Sequence, residues 1–173
     1  MIKQGTTLTV QATGEQYTFL ETAESSNGKH CKVKFDLKPG SLKPVMHIHQ
    51  MQDENFEVLS GTYTYEMNGE KKKITVGQSI DLPKGVAHTH YNDEPENCVV
   101  VQTVSPALDF EDILARLIEL NNTGKIKNGE PPLLEVMVWL KKYKAKTYLA
   151  GIPVGIQNAM ATVLAPIGRM LGS

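Results

Sequence analysis

Residues 29–37 alternate apolar and polar side chains, which is the pattern of a strand buried on one face. The apolar positions are Cys31, Val33, Phe35 and Leu37, and lysine or aspartate fills the positions between them. Because side chains alternate across a strand, this period of two predicts one face in a core and the other in water.

A tight hairpin is predicted at Asn68-Gly69, between the runs 62–67 and 71–76. Asn-Gly favours the two-residue turn whose twist matches that of paired strands. The valine-rich run 97–104 predicts a strand that closes the sheet. Short strands of β-branched and aromatic residues, separated by turn signals, predict an all-β barrel or sandwich.

The pattern changes to helical spacing after Ser105-Pro106. A first amphipathic helix is predicted from Asp109 to about residue 120, and a second after Pro131-Pro132, containing Trp139. In the third helical stretch Pro166 is expected to kink or end the helix. The apolar positions expected on one side of that stretch are Ile156, Met160, Val163, Leu164, Ile167 and Leu171.

We therefore predict a β-barrel over residues 1–105 and a helical extension over residues 106–173. The basic run 141–146 and the apolar run 148–153 leave two interpretations of this extension. It can lie on an anionic membrane surface, or it can pack on the barrel or a partner subunit. Packing is favoured, because helices that bury one stripe against a sheet are far commoner. No apolar run reaches the roughly 18 residues needed to cross a bilayer.

Length and charge limit the classes of function. A chain of 173 residues is large enough for one domain with an appendage. With 18 basic and 19 acidic residues, its charge gives no case for nucleic-acid binding. Residues 1–5 lack the apolar core of a secretory signal, so Cys31 and Cys98 are expected to be reduced fillers in a cytoplasmic protein.

Four of the five histidines lie in two short segments. His47 and His49 flank one apolar residue, so on a strand their imidazoles point the same way. Glu54 follows after a polar stretch that can turn the chain, and His88 comes just after a turn signal at residues 83–85. We predict that His47, His49, Glu54 and His88 bind one divalent transition-metal ion. Nitrogen and oxygen ligands suit iron, manganese, nickel, copper or zinc better than calcium.

Two further residues are candidates for substrate binding. Phe56 shares the face of Glu54, and either forms the floor of an apolar pocket or packs in the core. His90 shares the face of His88, and either enters the pocket as a partner or acid/base group or is solvated at the end of its strand. No catalytic residue is assigned.

The two histidine segments resemble the two motifs of the cupin superfamily. The first motif is read at Gly40, His47, His49, Glu54 and Gly61, with one residue more than usual after Gly40. The second is matched without a gap by Gly77, Pro83, Gly85, His88 and Asn92. The resemblance covers residues 6–105, and the tail is similar to that of some single-domain bacterial cupins. It implies a mainly β fold, a double-stranded β-helix or jelly-roll barrel with a C-terminal α-helical extension, and a homodimer.

The resemblance implies a metal site more firmly than a reaction, because cupins with this ligand set include dioxygenases, decarboxylases and isomerases. The leading hypothesis is a metal-dependent enzyme acting on a small organic molecule, with dioxygenase-like oxidoreductase chemistry as the main subclass. One alternative is a non-catalytic, metal-bearing protein that binds a small molecule. Another is an assembly or membrane-docking protein that acts through its tail. We also expect the ion to keep an open position, unlike a closed structural zinc site.

Overall fold

The structure is a computed structural model that describes residues 2–172. Its strands are β1 Thr7–Val10, β2 Glu15–Glu21, β3 Cys31–Leu37, β4 His47–His49, β5 Asp53–Ser60, β6 Thr62–Met67, β7 Glu70–Thr75, β8 Ser79–Leu82, β9 His88–Tyr91, β10 Cys98–Ser105 and β11 Thr147–Leu149. Its helices are α1 Phe110–Asn122, α2 Leu133–Lys142 and α3 Val154–Met170.

The strands form two antiparallel sheets that enclose the main apolar core. One sheet has the order β1-β2-β3-β10-β5-β8, and the other β11-β4-β9-β6-β7. Side chains from both sheets meet between them, among them Phe19 and Phe56 of the first sheet and Tyr63 of the second. This confirms the predicted jelly-roll fold with a C-terminal helical extension.

The local patterns fold as the sequence predicts. The four apolar side chains of β3 are buried, and those between them are half-buried. The β6–β7 hairpin turns at Asn68 and Gly69, whose φ angles of 55° and 77° are those of the predicted turn. Gly61, between β5 and β6, has a φ of +77°, and a Cβ built there would lie 2.5 Å from the Asn97 carbonyl oxygen. Only glycine therefore allows this turn to pack against the start of β10.

The extension is joined to the barrel by hydrogen bonds and by a strand. The Asn122 side chain at the end of α1 accepts a bond from the Gln11 amide and donates one to the Thr9 carbonyl, each 2.9 Å long. The strand β11, which the sequence analysis did not predict, pairs with β4 so that Thr147 lies opposite His49. The extension therefore covers the edge of the strand that carries the His-x-His pair.

The third helix differs from the expectations in two respects. Pro166 does not end α3, which was one of the two outcomes expected of it, since the helix continues to Met170. The predicted apolar stripe is buried only in part. Met160 and Leu164 pack against the core that α3 forms with α2, whereas Ile156, Val163, Ile167 and Leu171 are exposed. The fully buried residues of α3 are Gln157, Ala161, Ala165 and Gly168.

Small side chains explain this orientation, because they let α3 lie close to α2. A Cβ at Gly168 would be 2.8 Å from Val138 Cγ2 and 3.2 Å from the Leu134 carbonyl oxygen. Close approach of the two backbones thus selects the alanine and glycine face over the face with larger apolar side chains. None of the helices within residues 2–172 has the length and apolar character that crossing a bilayer requires.

Candidate metal centre

The predicted ligands come from three strands in the two sheets. His47 and His49 lie on β4, and His88 lies on the neighbouring strand β9, directly opposite His47. Glu54 lies on β5 of the other sheet. One ligand atom from each of the four residues lies within 4.8 Å of the others. The structure therefore brings the four side chains together between the sheets.

Two of the imidazoles are oriented by the backbone. His47 Nδ1 donates to the Val45 carbonyl over 2.8 Å, and His88 Nδ1 donates to the Val86 carbonyl over 2.9 Å. In a neutral imidazole with its proton on Nδ1, Nε2 carries only a lone pair. Both rings are thus held in the tautomer that presents Nε2 as a ligand, as in protein metal sites.

The contact between His88 and Glu54 is the strongest sign that a cation fits here. His88 Nε2 lies 2.7 Å from Glu54 Oε2, and both residues are almost fully buried. Within the described part of the chain, neither of these two atoms has a hydrogen-bond partner. Since Val86 already accepts the Nδ1 proton of His88, Nε2 and Oε2 can lie this close only with a cation between them, either a second proton on His88 or a metal ion. Buried polar atoms are normally satisfied, and a metal ion would satisfy both.

Gln102, which the sequence analysis missed, orients the carboxylate. Its Nε2 donates to Glu54 Oε1 over 2.6 Å, and the side chain is buried on β10. The signal was present in the strand pattern, because residue 102 is in phase with the inward-facing Cys98, Val100 and Val104. A polar residue at an inward position of an otherwise apolar strand indicates a buried partner.

The electrostatics of the cluster favour the protonation states that bind metals. Burial and then the neighbouring His49 and His88 lower the pKa of His47 well below 6.5. Burial acts to raise the pKa of Glu54, but His49 and His88 outweigh it and hold that pKa below the usual carboxyl value. At neutral pH the site therefore combines a neutral His47 with an ionised carboxylate, the forms that a metal ion requires.

The two predicted substrate-binding residues have different positions. His90 borders a cavity of about 200 Å³ that also reaches His47, His49 and Glu54. Phe56 does not line that cavity. Its ring packs within the barrel core, and the centroids of the Phe56 and His90 rings are 4.4 Å apart. The structure thus gives Phe56 a packing role beside His90, the second of the two alternatives from the sequence.

His90 is further held by Tyr63. The Tyr63 hydroxyl lies 2.6 Å from His90 Nδ1. Burial lowers the pKa of His90 to about 4 and raises that of Tyr63 well above its usual value. At neutral pH the hydroxyl therefore keeps its proton and donates it to Nδ1. The Nε2–H of a neutral His90 remains as a donor at the cavity.

Comparison with known proteins identifies the barrel. Residues 33–104 match the family model of the cupin domain. An uncharacterized protein of Aquifex aeolicus (strain VF5) is 37% identical over 68 residues, which cover 39% of this chain and 55% of that protein. The match thus spans about half of the length of this relative.

Two solved structures share the fold. KdgF from a Halomonas species superposes with a TM-score of 0.52 at 22% identity, covering 61% of this chain and 90% of that one. A predicted oxalate decarboxylase from Thermotoga maritima gives a TM-score of 0.51 at 17% identity, covering 61% and 99%. At these identities the likeness shows the fold alone.

The matched segment contains all four clustered residues and the strands that hold them. Its two sheets form the same barrel as these solved structures. Residues 33–104 are therefore a cupin domain.

Proposed function

We propose that this protein is a metal-dependent enzyme acting on a small organic molecule, with dioxygenase-like oxidoreductase chemistry as the leading subclass. One observation carries the proposal: His47, His49 and Glu54 line a cavity, so the cluster faces space that a small molecule can occupy. A structural metal site is instead usually closed by its protein ligands.

The four clustered residues would hold one divalent transition-metal ion, either iron, manganese, nickel, copper or zinc. Such an ion supplies a Lewis-acid or redox centre. The fit rests on the convergence of four ligand atoms, on the close contact of the buried His88 Nε2 and Glu54 Oε2, and on the mixed nitrogen and oxygen set. Four protein ligands leave room for a small molecule on an ion that prefers five or six.

The other residues of the site bind, orient and exclude water. Gln102 fixes the carboxylate of Glu54, and the Val45 and Val86 carbonyls fix two imidazoles. His90, held by Tyr63, presents an N–H to a ligand oxygen in the cavity. Apolar walls around these groups strengthen each polar interaction, because water is kept away.

Oxygen consumption separates the enzyme from a non-catalytic binding protein. Metal-loaded protein would be mixed with small molecules that carry an enol or a carboxylate, and oxygen uptake would be recorded with an electrode. We expect uptake that requires metal and disappears in His49→Ala. The matched control is His30→Ala, whose ring pairs with Glu21 outside the site and whose removal should leave uptake unchanged.

Turnover of a substrate without oxygen uptake would overturn the dioxygenase subclass but would still support the proposal that the protein is an enzyme. Saturable binding without any turnover would favour the non-catalytic alternative.

For the third hypothesis, assembly through the tail, the specific observation is the exposed apolar face of α3. We propose a second copy of the chain as its occupant, giving a homodimer.

A further inference from the structure

The cavity beside the histidine cluster is a joint product of the barrel and the extension. At one end it is bordered by His47, His49 and Glu54. At the other end its wall is apolar and comes from helices α1 and α2. The main residues of this wall are Ile113, Leu114, Leu117, Val136, Trp139 and Leu140.

The charges around the cavity restrict what can bind. Among the described residues that line it there is no lysine or arginine, and Glu54 is the single carboxylate. A phosphate or a carboxylate resting against the helical wall would be buried without a cation, which is strongly unfavourable. The part of a ligand that contacts α1 and α2 is therefore uncharged.

The wall leaves apolar surface that a ligand would cover. Ile113, Leu114 and Leu117 are only half-buried, although they lie on the inner side of α1 and line the cavity. Protein interiors are close-packed with few voids larger than a water molecule, so a space of about 200 Å³ is not ordinary packing. It is comparable to an apolar cavity of roughly 150 Å³ that binds benzene. The cavity thus has the size for one substituted ring.

The helical wall is held rigid by a buried polar group. Arg116 of α1 donates two hydrogen bonds, 2.9 and 3.0 Å long, to the carboxylate of Glu135 on α2. Trp139 Nε1 donates to the same carboxylate over 2.9 Å. These bonds join the two helices and fix the indole of Trp139, which lines the cavity. A pre-organised wall binds a ligand without first having to be ordered.

We propose that the extension forms the substrate-selecting wall of the site, and that the cavity takes a small uncharged apolar molecule about the size of one substituted aromatic ring. Its apolar body lies against Leu117 and Trp139, and its oxygen substituent points to the histidine cluster. The orientation of that oxygen rests on the proposed metal function, whereas the apolar binding does not.

Benzyl alcohol is a suitable probe, because it has one ring and one uncharged oxygen. It would be titrated into the full chain, metal-free and cobalt-loaded, while the fluorescence of Trp139 is recorded. Trp139 is the only tryptophan in the sequence, so the signal is assigned without ambiguity. We expect a saturable change in both forms. Absence of a saturable change in both forms would overturn the proposal.

A pair of variants shows where the probe binds. Leu117→Phe fills the cavity from α1 and should weaken binding about ten-fold or more. Leu133→Phe changes an exposed leucine of α2 that does not line the cavity, and binding should stay within roughly two-fold. Equal effects of the two variants would contradict the proposal. If Leu117→Phe fails to fold, Ile113→Phe fills the cavity one turn earlier on the same face.

A charged analogue directly tests the proposed preference of the cavity for uncharged ligands. Benzylphosphonate carries the same ring, and in the metal-free protein it should bind at least about ten-fold more weakly, since no cation lines the cavity. Comparable binding would contradict the proposed ligand class. Cobalt binding separates the two proposals. If the chain binds benzyl alcohol but no cobalt, the apolar cavity proposal stands and the proposed metal-dependent function is overturned. If it binds cobalt but not benzyl alcohol, the proposed metal-dependent function stands and the apolar cavity proposal is overturned.

Discussion

His88 and Glu54 face each other across the two sheets, with Nε2 and Oε2 2.7 Å apart, a distance that requires a proton or a metal ion between them. The strand parity of His47 and His49 predicted that these imidazoles share one face, and the structure places both within 4.8 Å of the other two ligands. Gln102 could have been found from its inward phase on β10, but its partner could not, because the pairing of β10 with β5 is a tertiary contact.

At the same scale, Gln102→Leu should lower metal affinity about 10- to 100-fold, because the variant leaves Glu54 Oε1 without its hydrogen bond. Titration of metal-free protein with cobalt measures the effect. Gln16→Leu, at an exposed position of β2, is the control and should bind cobalt as the unmodified chain does. Equal affinities of the two variants would show that Gln102 does not orient the carboxylate.

The metal-free protein should lose stability as the pH falls from 6.5 to about 4. The pKa of His90 is depressed from 6.5 to about 4, so in this range the unfolded chain binds a proton that the folded chain does not. The free energy of unfolding therefore decreases with acidification, by up to about 3 kcal/mol for this residue. The lowered pKa values of His47 and Glu54 act in the same direction. Urea unfolding at several pH values measures the free energy of unfolding. A value at pH 4 that is equal to or higher than the value at pH 6.5 would contradict this prediction.

Among the elements, those with a clear period were predictable and those set by packing were not. The alternation in β3 and the Asn-Gly turn of the β6–β7 hairpin are local signals. β11 has only three residues, and it forms because β4 offers a free edge to pair with. The buried face of α3 was predicted only in part, because apolar spacing alone does not show that packing against α2 requires small side chains.

Two glycines of α3 give a matched test of that packing. Gly168→Ala should destabilise the protein by about 1–3 kcal/mol, because the new Cβ would lie 2.8 Å from Val138 Cγ2. Gly155→Ala meets no atom within 4 Å and should be neutral or stabilising by up to about 1 kcal/mol, since alanine favours a helix. Thermal or urea unfolding compares them. If Gly168→Ala were as stable as Gly155→Ala, α3 would not pack on α2 as described.

For the whole molecule, the open face of α3 predicts a homodimer. This helix carries one charged residue, Arg169, while Ile156, Val163 and Leu171 are exposed. Exposed apolar patches of this kind usually mark an interaction surface. Light scattering at micromolar concentration should give the mass of two chains, and Val163→Glu should give the mass of one. Val76→Glu, at an exposed valine after β7, should stay dimeric. A monomeric unmodified chain would contradict this prediction.

The most direct test of the account is the metal content of protein purified without a metal-binding tag. The unmodified chain and the His30→Ala control should each contain about one transition-metal ion per chain. His49→Ala should contain far less and keep its fold, because the barrel core is built from other residues. Unchanged metal content in a folded His49→Ala variant would contradict the assignment of His47, His49, Glu54 and His88 as one metal site.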